Sequence, residues 1–95
     1  MSQEAEKNKQ EKRVALIGMI VQDPSAAEKI NQILHDFGEY IIGRMGIPYR
    51  ERGVNIISIV IDAPENKISA LSGKLGMLRG VTVKSVQAPN MQYHP

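Results

Sequence analysis

Two aspartates occupy equivalent positions in this chain of 95 residues, each at the end of an apolar run and close to a proline. Asp23 precedes Pro24, and Asp62 precedes Ala63-Pro64. Paired carboxylates can act as general acid and base when both reach one substrate. Aspartate before proline is also typical of a helix start, where the carboxylate accepts backbone N–H groups. Because the surrounding pattern is itself repeated, we interpret both aspartates as helix caps and predict no catalytic residue and no enzyme.

Histidine is the second residue type here that could do chemistry. A nickel-type site needs several imidazole and thiolate ligands, and the chain has no cysteine. His35 lies away from the middle of the apolar stripe of a predicted helix, and His94 lies in the C-terminal segment. These two residues are the metal candidates, although their spacing supplies no second ligand near either one. We predict that no cofactor is required, and that a divalent metal or a small effector is the possible ligand.

The local basic cluster consists of Arg44, Arg50 and Arg52, with Tyr49 between them. Guanidinium groups match phosphate and carboxylate well, so a site for phosphate or an acidic partner is one interpretation. A solvated turn is the simpler interpretation, because Glu51 lies in the middle of the cluster.

The same segment contains two glycines and a proline, at Gly43, Gly46 and Pro48. Their spacing matches neither a phosphate-binding loop nor a dinucleotide fingerprint. We interpret them as structural residues of a bulge or tight turn, and we predict a polar turn over residues 46–53.

The elements that must position these residues form two copies of strand, helix and strand. Apolar runs predict strands at residues 13–21, 39–45, 54–61 and 81–86. Apolar residues at helical spacing predict helices at residues 25–37 and 65–75. Right-handed crossovers then give an α+β, ferredoxin-like βαββαβ fold, with a four-stranded antiparallel sheet and both helices on one face.

Both central strands are apolar on both of their faces, although two helices cover only one face of the sheet. Leaving several aliphatic side chains in water costs several kcal/mol at about 25 cal/mol per Å². We therefore predict self-association as a homodimer or homotetramer, through the sheet face or the strand edges.

Composition sets the remaining limits. The 12 basic and 10 acidic residues give a net charge of +2, which is too weak to indicate a direct nucleic-acid-binding module. We expect no membrane segment, and the lack of cysteine favours the cytoplasm. The domain is predicted to span residues 13–87, between a flexible N-terminal tail (1–12) and a C-terminal tail (88–95). Docking of the N-terminal tail on a partner is the alternative to flexibility.

Residues 13–87 resemble the small proteins described as regulators of the iron-only hydrogenase system, a branch of the ACT-like group. The resemblance rests on RVALIGMIV (13–21), the distinctive GRMGIP (43–48), VNIISIVIDAP (54–64) and GKLGMLRGVTVK (73–84). This family is similar in fold to the C-terminal domain of nickel-responsive repressors. The resemblance implies a regulatory or sensing role and supplies no catalytic residues.

ACT-like domains tend to bind small effectors at subunit interfaces through the loop after the first strand. The resemblance therefore implies effector contacts at Gln22, Asp23 and Ser25, with Arg44 as a further candidate. Effector-binding versions usually carry glycine after the proline, where this chain has Ser25, and this departure weakens the case for an amino-acid effector.

Three functions from different classes follow. The first is a non-enzymatic, oligomeric sensor that holds a small effector or metal at its interfaces and acts on a regulatory partner protein. The second is a structural oligomerisation or protein-interaction module without a ligand. The third, an acylphosphatase-like enzyme of the same strand order, lacks the anion-cradling loop that such an activity needs.

Overall fold

The computed structural model describes residues 11–89. The predicted tails fall almost wholly on residues 1–10 and 90–95, which lie outside the described residues. The four strands are β1 (Lys12–Val21), β2 (Ile41–Tyr49), β3 (Val54–Pro64) and β4 (Val81–Gln87). The two α-helices are α1 (Ala27–Asp36) and α2 (Glu65–Gly76), and short 3₁₀ turns span Pro24–Ala26, Gly38–Tyr40 and Arg50–Arg52.

The strands form one antiparallel sheet in the order β2-β3-β1-β4. β1 pairs with both β3 and β4, and β2 pairs with β3, each time antiparallel. The two long apolar strands, β1 and β3, are therefore central, and the expected ferredoxin-like arrangement is confirmed.

One face of the sheet, here called the covered face, packs against the helices. Alternate residues of β1 and β3 point into this core, and both helices contribute the predicted apolar stripe. The buried positions include Ala15, Ile17, Met19, Val21, Ile30, Leu34, Ile59, Ile61, Ile68, Leu71 and Leu75. No polar or charged side chain of the described residues is buried with them, so the interior between the helices and the sheet is entirely apolar.

The start of the first helix agrees with the prediction at Asp23. Its carboxylate accepts a hydrogen bond from the backbone N–H of Ser25 at 3.0 Å, and Pro24 occupies the first position of the 3₁₀ turn that leads into α1. The predicted cap at Asp62 is wrong. β3 continues to Pro64, which is the N-cap of α2 and makes no side-chain capping bond. Pairing of β3 with the first residues of β1 keeps this backbone extended.

The predicted turn at residues 46–53 is also longer than the one observed. Gly46 and Pro48 lie within β2, opposite Ile57 and Asn55 of β3, and the turn begins at Arg50. Proline is tolerated here because β2 is an edge strand, where one side of the backbone needs no partner. Gly43 lies at a shift in register between β2 and β3, in keeping with a bulge.

Candidate functional site

The face of the sheet opposite the helices, here called the open face, is largely apolar, with Gly18, Ser58 and Lys84 side by side across its middle. All four strands contribute large side chains that are 40–68% exposed. They are Val14, Leu16, Ile20, Met45, Ile47, Tyr49, Ile56 and Val86. The cross-strand register places Leu16 beside Val86, and Ile56 beside both Ile20 and Ile47. These two apolar groups lie on either side of the row formed by Gly18, Ser58 and Lys84.

A shallow depression of about 380 Å³ lies at one end of the open face. Leu16, Val60 and Val86 line it, and Pro89 closes one side. Beside it, the backbone N–H of Ala88 donates to the carbonyl of Val14 at 2.9 Å, which extends the alignment of β4 with β1 beyond Gln87. This end of the open face is thus apolar and slightly concave.

A pocket of about 300 Å³ lies on the covered face, between α1 and the second half of β2, and is here called the α1–β2 pocket. Ala27, Ile30 and Asn31 line it from α1, and Arg44, Gly46 and Pro48 line it from β2. Asn55 and Ile57 of β3 form its floor. The side chains of Arg44 and Asn31 meet at its rim, where Arg44 Nη2 donates to Asn31 Oδ1 at 2.8 Å.

The loop after β1 forms a different cleft, of about 350 Å³, lined by Asp23, Ser25, Lys29 and Arg79. The Ser25 hydroxyl donates to Asp23 Oδ1 at 2.8 Å, and this bond, together with the one from the Ser25 backbone N–H, holds the pKa of Asp23 below its ordinary value of 3.8. The positive charges of Arg79 and Lys29 act in the same direction. The Asp23 carboxylate therefore already accepts two hydrogen bonds from Ser25, as part of a helix start.

The four predicted effector residues do not come together. Gln22, Asp23 and Ser25 lie together in the loop, where the backbone N–H of Gln22 donates to the carbonyl of Gly80 at 2.7 Å. Arg44 lines the α1–β2 pocket, which shares no lining residue with the Asp23 cleft. The effector assignment therefore stays a prediction, with its residues divided between two cavities.

The predicted metal candidates are also separate. His35 is exposed on α1, and His94 lies outside the described residues. Within residues 11–89, no three His, Cys, Asp or Glu side chains are arranged to hold a metal ion. His35 thus has no ligand set around it in that part of the chain.

Sequence reasoning missed Asn31 and Asn55 as pocket residues. Their partners are distant in sequence, since Arg44 lies 13 residues after Asn31. A usable indication was present in β2, where an arginine, a glycine and a proline alternate at positions 44, 46 and 48. In an extended strand, alternate residues share a face, so this pattern predicts an unfilled, positively charged stretch.

A four-stranded antiparallel sheet with two helices on one face and an open apolar face defines a small ferredoxin-like domain of the ACT-like kind. In the described residues, no helix is both long enough and apolar enough to cross a bilayer.

Comparison with known families narrows this class. Residues 13–85 match the TM1266-like family model, described as "Iron-only hydrogenase system regulator, putative". The chain therefore belongs to this family, as the resemblance in its sequence implied.

Solved structures agree with this assignment. The chain is similar to the uncharacterized protein TM1266 from Thermotoga maritima, with 41% identity and a TM-score of 0.78 over 81% of this chain and 98% of that one. It also resembles part of a formyltetrahydrofolate deformylase from Pseudomonas putida KT2440, with 13% identity and a TM-score of 0.58 over 83% of this chain and 30% of that one. The second likeness shows the fold alone. No curated protein matches the chain.

Proposed function

We propose that this protein is a non-enzymatic regulatory domain of the iron-only hydrogenase system that works in the cytoplasm as a homo-oligomer and responds to a small effector. Membership of the regulator family supports the regulatory role. The open face supports the proposed self-association, because eight large apolar side chains are exposed on it.

The size of the open face supports a second copy of this chain as its occupant. Four strands about 4.8 Å apart, each about eight residues long at about 3.3 Å per residue, give a face of roughly 19 by 26 Å. That is about 500 Å² in projection, the upper range for the largest apolar patch on a monomer. Accessible area exceeds projected area because side chains stand out from the sheet, so one face approaches the about 800 Å² per partner of a standard interface.

Strand β2 offers a physical link between an effector and this assembly. Its residues 44, 46 and 48 border the α1–β2 pocket, and Ile47, which is exposed on the open face with residues 45 and 49, also contributes to the pocket lining. A ligand that fixes the position of β2 from one side therefore changes the surface presented on the other side. An effector that binds one assembly state more tightly shifts the population toward that state.

Light scattering across a range of protein concentrations tests the assembly. We expect the wild-type chain to form dimers or larger oligomers, and Leu16→Lys, on the open face, to remain monomeric while keeping its far-UV circular dichroism. Met77→Lys is the matched control, because Met77 is 87% exposed but lies at the end of α2, outside the open face. A monomeric wild type, or a Leu16→Lys variant that assembles normally, would contradict the proposal.

A thermal-shift screen tests the effector part. Amino acids, organic acids, nucleotides and divalent metals form the panel, and a hundredfold excess over Kd raises the free energy of unfolding by about 2.7 kcal/mol. We expect at least one compound to raise the melting temperature.

The second candidate function is the structural oligomerisation module without a ligand. It is favoured by one observation, the engagement of Asp23 by Ser25, which leaves the predicted effector loop explained as a helix start. An oligomer that no compound in the panel stabilises would support this alternative over the sensor.

A further inference from the structure

The α1–β2 pocket exists because the first helix does not pack along its strand. In the second repeat α2 lies against β4, whereas α1 makes few contacts with β2. Gly46 places no side chain in the gap, and a methyl group added there would meet nothing within 4 Å. No side chain of the described residues fills this space, so a small molecule can enter it.

The inner walls of this pocket are apolar. Ile30 is fully buried at its back, and Ile57 and Pro48 add aliphatic surface. No aromatic side chain lines the pocket, so it has no aromatic platform for a nucleobase. A volume of about 300 Å³ is at the lower limit for small-molecule sites, and it holds about ten non-hydrogen atoms if each takes about the 30 Å³ of a water molecule. The dimensions and the walls select a small aliphatic molecule.

The charge at the rim selects the head group of that molecule. Arg44 donates one hydrogen bond to Asn31, and its guanidinium has further N–H donors to offer. The ion pair found among residues 11–89 joins Arg13 to Glu65, so no carboxylate neutralises Arg44 within that range. Asn31 holds the guanidinium beside the opening, which lowers the entropy cost of orienting it toward an anion.

The lining also distinguishes a simple acid from an amino acid. No aspartate or glutamate lines the α1–β2 pocket, so an ammonium group next to the carboxylate would have no opposite charge to meet. At the rim that ammonium would instead lie beside the positive guanidinium of Arg44, which is an unfavourable like-charge contact. A carboxylate without an α-amino group avoids this contact.

We propose that the α1–β2 pocket binds a small aliphatic carboxylate of about four to six carbons, with Arg44 and Asn31 holding the carboxylate at the rim and Ile30 and Ile57 contacting the hydrocarbon chain. This inference rests on the proposed function, since it names the effector class and its site. It places the effector away from the Asp23 loop, in the cavity that contains only Arg44 of the four predicted residues.

Three compounds with one carbon skeleton test the chemistry of the site. 4-Methylpentanoate has the carboxylate alone, leucine adds the ammonium group, and 4-methylpentanamide removes the negative charge. Titration into the labelled full-length chain, followed by backbone amide NMR shifts, should show binding of 4-methylpentanoate at residues of α1 and β2. We expect both to bind at least about tenfold more weakly, because the amide lacks the negative charge and the leucine ammonium meets the positive Arg44 and no carboxylate.

Three variants locate the binding. Arg44→Gln should weaken 4-methylpentanoate binding at least about tenfold, because the carboxylate loses its charged donor. Gly46→Val should abolish it by filling the empty space, and circular dichroism should show an intact fold. Arg52→Gln is the matched control, since it removes the same charge from the turn outside the pocket and should leave binding unchanged.

Each contrary outcome contradicts a particular part of the proposal. Leucine binding as tightly as 4-methylpentanoate, unchanged binding by Arg44→Gln, or no binding of straight and branched acids of four to six carbons would overturn the pocket assignment. An oligomer of the expected size that fails these titrations removes the carboxylate proposal alone. A monomeric wild type that binds 4-methylpentanoate through Arg44 instead contradicts the assembly and leaves the pocket assignment standing.

Discussion

The two faces of the sheet carry the same kinds of side chain in different surroundings. On the covered face Ile17 and Ile59 are completely buried beneath the helices. On the open face the neighbouring Leu16 and Ile56 are 46% and 40% exposed. Residue type therefore does not distinguish the faces, and only the helices do. Folding of one chain buries one side of each central strand, and under the proposed self-association a second chain buries the other.

Isoleucines on opposite faces of β3 give the sharpest measure of this difference. Ile59→Ala should lower the free energy of unfolding by about 3–5 kcal/mol, because the side chain is fully buried and its removal leaves a cavity. Ile56→Ala should cost about 1 kcal/mol or less in dilute, monomeric protein, because Ile56 is already partly exposed. Urea denaturation at low concentration measures both values.

Repeating these measurements at high protein concentration sharpens the comparison. If the open face is covered in the oligomer, the cost of Ile56→Ala should rise with concentration, while the cost of Ile59→Ala stays nearly constant. Ile59→Val, expected to lose about 0.5–1.5 kcal/mol, keeps the comparison measurable if the alanine variant does not fold. Equal costs for Ile59→Ala and Ile56→Ala in monomeric protein would remove the distinction between the faces.

Tight packing beside the covered face extends to the backbone at Gly80, in the turn between α2 and β4. Gly80 has a φ of +77°, and a Cβ there would lie 2.6 Å from the Cβ of Asp23. Gly80→Ala should therefore lower the free energy of unfolding by about 2–3 kcal/mol, from an unfavourable φ and a steric clash. Gly53, with a φ of +67° and open space around it, is the control, and Gly53→Ala should cost about 1 kcal/mol.

Thermal denaturation of the two glycine variants separates the clash from the backbone strain. Their difference reports the contact between the loop at Asp23 and the turn at Gly80, which the hydrogen bond from Gln22 to the Gly80 carbonyl also holds. Equal losses in the two variants would mean that the loop moves aside at little cost, and that packing beside the covered face is looser than its buried side chains indicate.

Much of the fold was predictable from sequence because periodicity and helix starts are local properties. The order of strands and helices, the central position of β1 and β3, and the cap at Asp23 all follow from neighbouring residues. The predicted helix cap at Asp62 was wrong for a non-local reason. The segment around Asp62 pairs with the start of β1, and this pairing extends β3 beyond the apparent helix start. Gly46 and Pro48 were assigned to a turn for the same reason, since only β3 reveals that they belong to a strand.

The candidate site was less predictable than the fold. Arg44 was a candidate from its residue type, but its partner Asn31 lies on another element and the pocket depends on the missing contact between α1 and β2. The open face was inferred correctly as apolar, because alternation within a strand is visible in the sequence. An occupant of that face would come from another molecule, and residue spacing within this chain carries no information about it.

Measuring stability at acid pH should reveal the smaller contribution that the hydrogen bonds of the loop after β1 make to the free energy of unfolding. The pKa of Asp23 is lowered in the folded chain by the Ser25 hydroxyl first, then by the Ser25 backbone N–H. A carboxylate with a lowered folded pKa stabilises the fold above its unfolded pKa of about 3.8, and this stabilisation is lost as the pH falls through the folded pKa. Ser25→Ala should therefore raise the pKa of Asp23 and reduce the acid dependence of stability below about pH 4.

Carboxyl carbon NMR between pH 2 and about pH 6 measures the pKa of Asp23 directly. Ser85→Ala, which removes an exposed hydroxyl from β4, should leave that pKa unchanged. An unchanged pKa in Ser25→Ala would assign the shift to the backbone N–H and to the positive charges of Arg79 and Lys29.

The ion pair between Arg13 and Glu65 should have the smallest effect of all, although it joins the start of β1 to the start of α2. Arg13 Nη1 lies 3.9 Å from Glu65 Oε1, and the two side chains are 27% and 60% exposed. A double-mutant cycle with Arg13→Gln and Glu65→Gln should give a coupling energy below about 0.5 kcal/mol, because water and salt screen such a pair. Glu65→Gln alone can cost up to about 1 kcal/mol, since a carboxylate in the first turn of a helix also interacts with its dipole. At about 1 M salt the coupling should disappear. A coupling of about 2 kcal/mol or more would mean that charge, as well as apolar burial, holds α2 on the sheet, and the two faces would then differ in electrostatics as well as in cover.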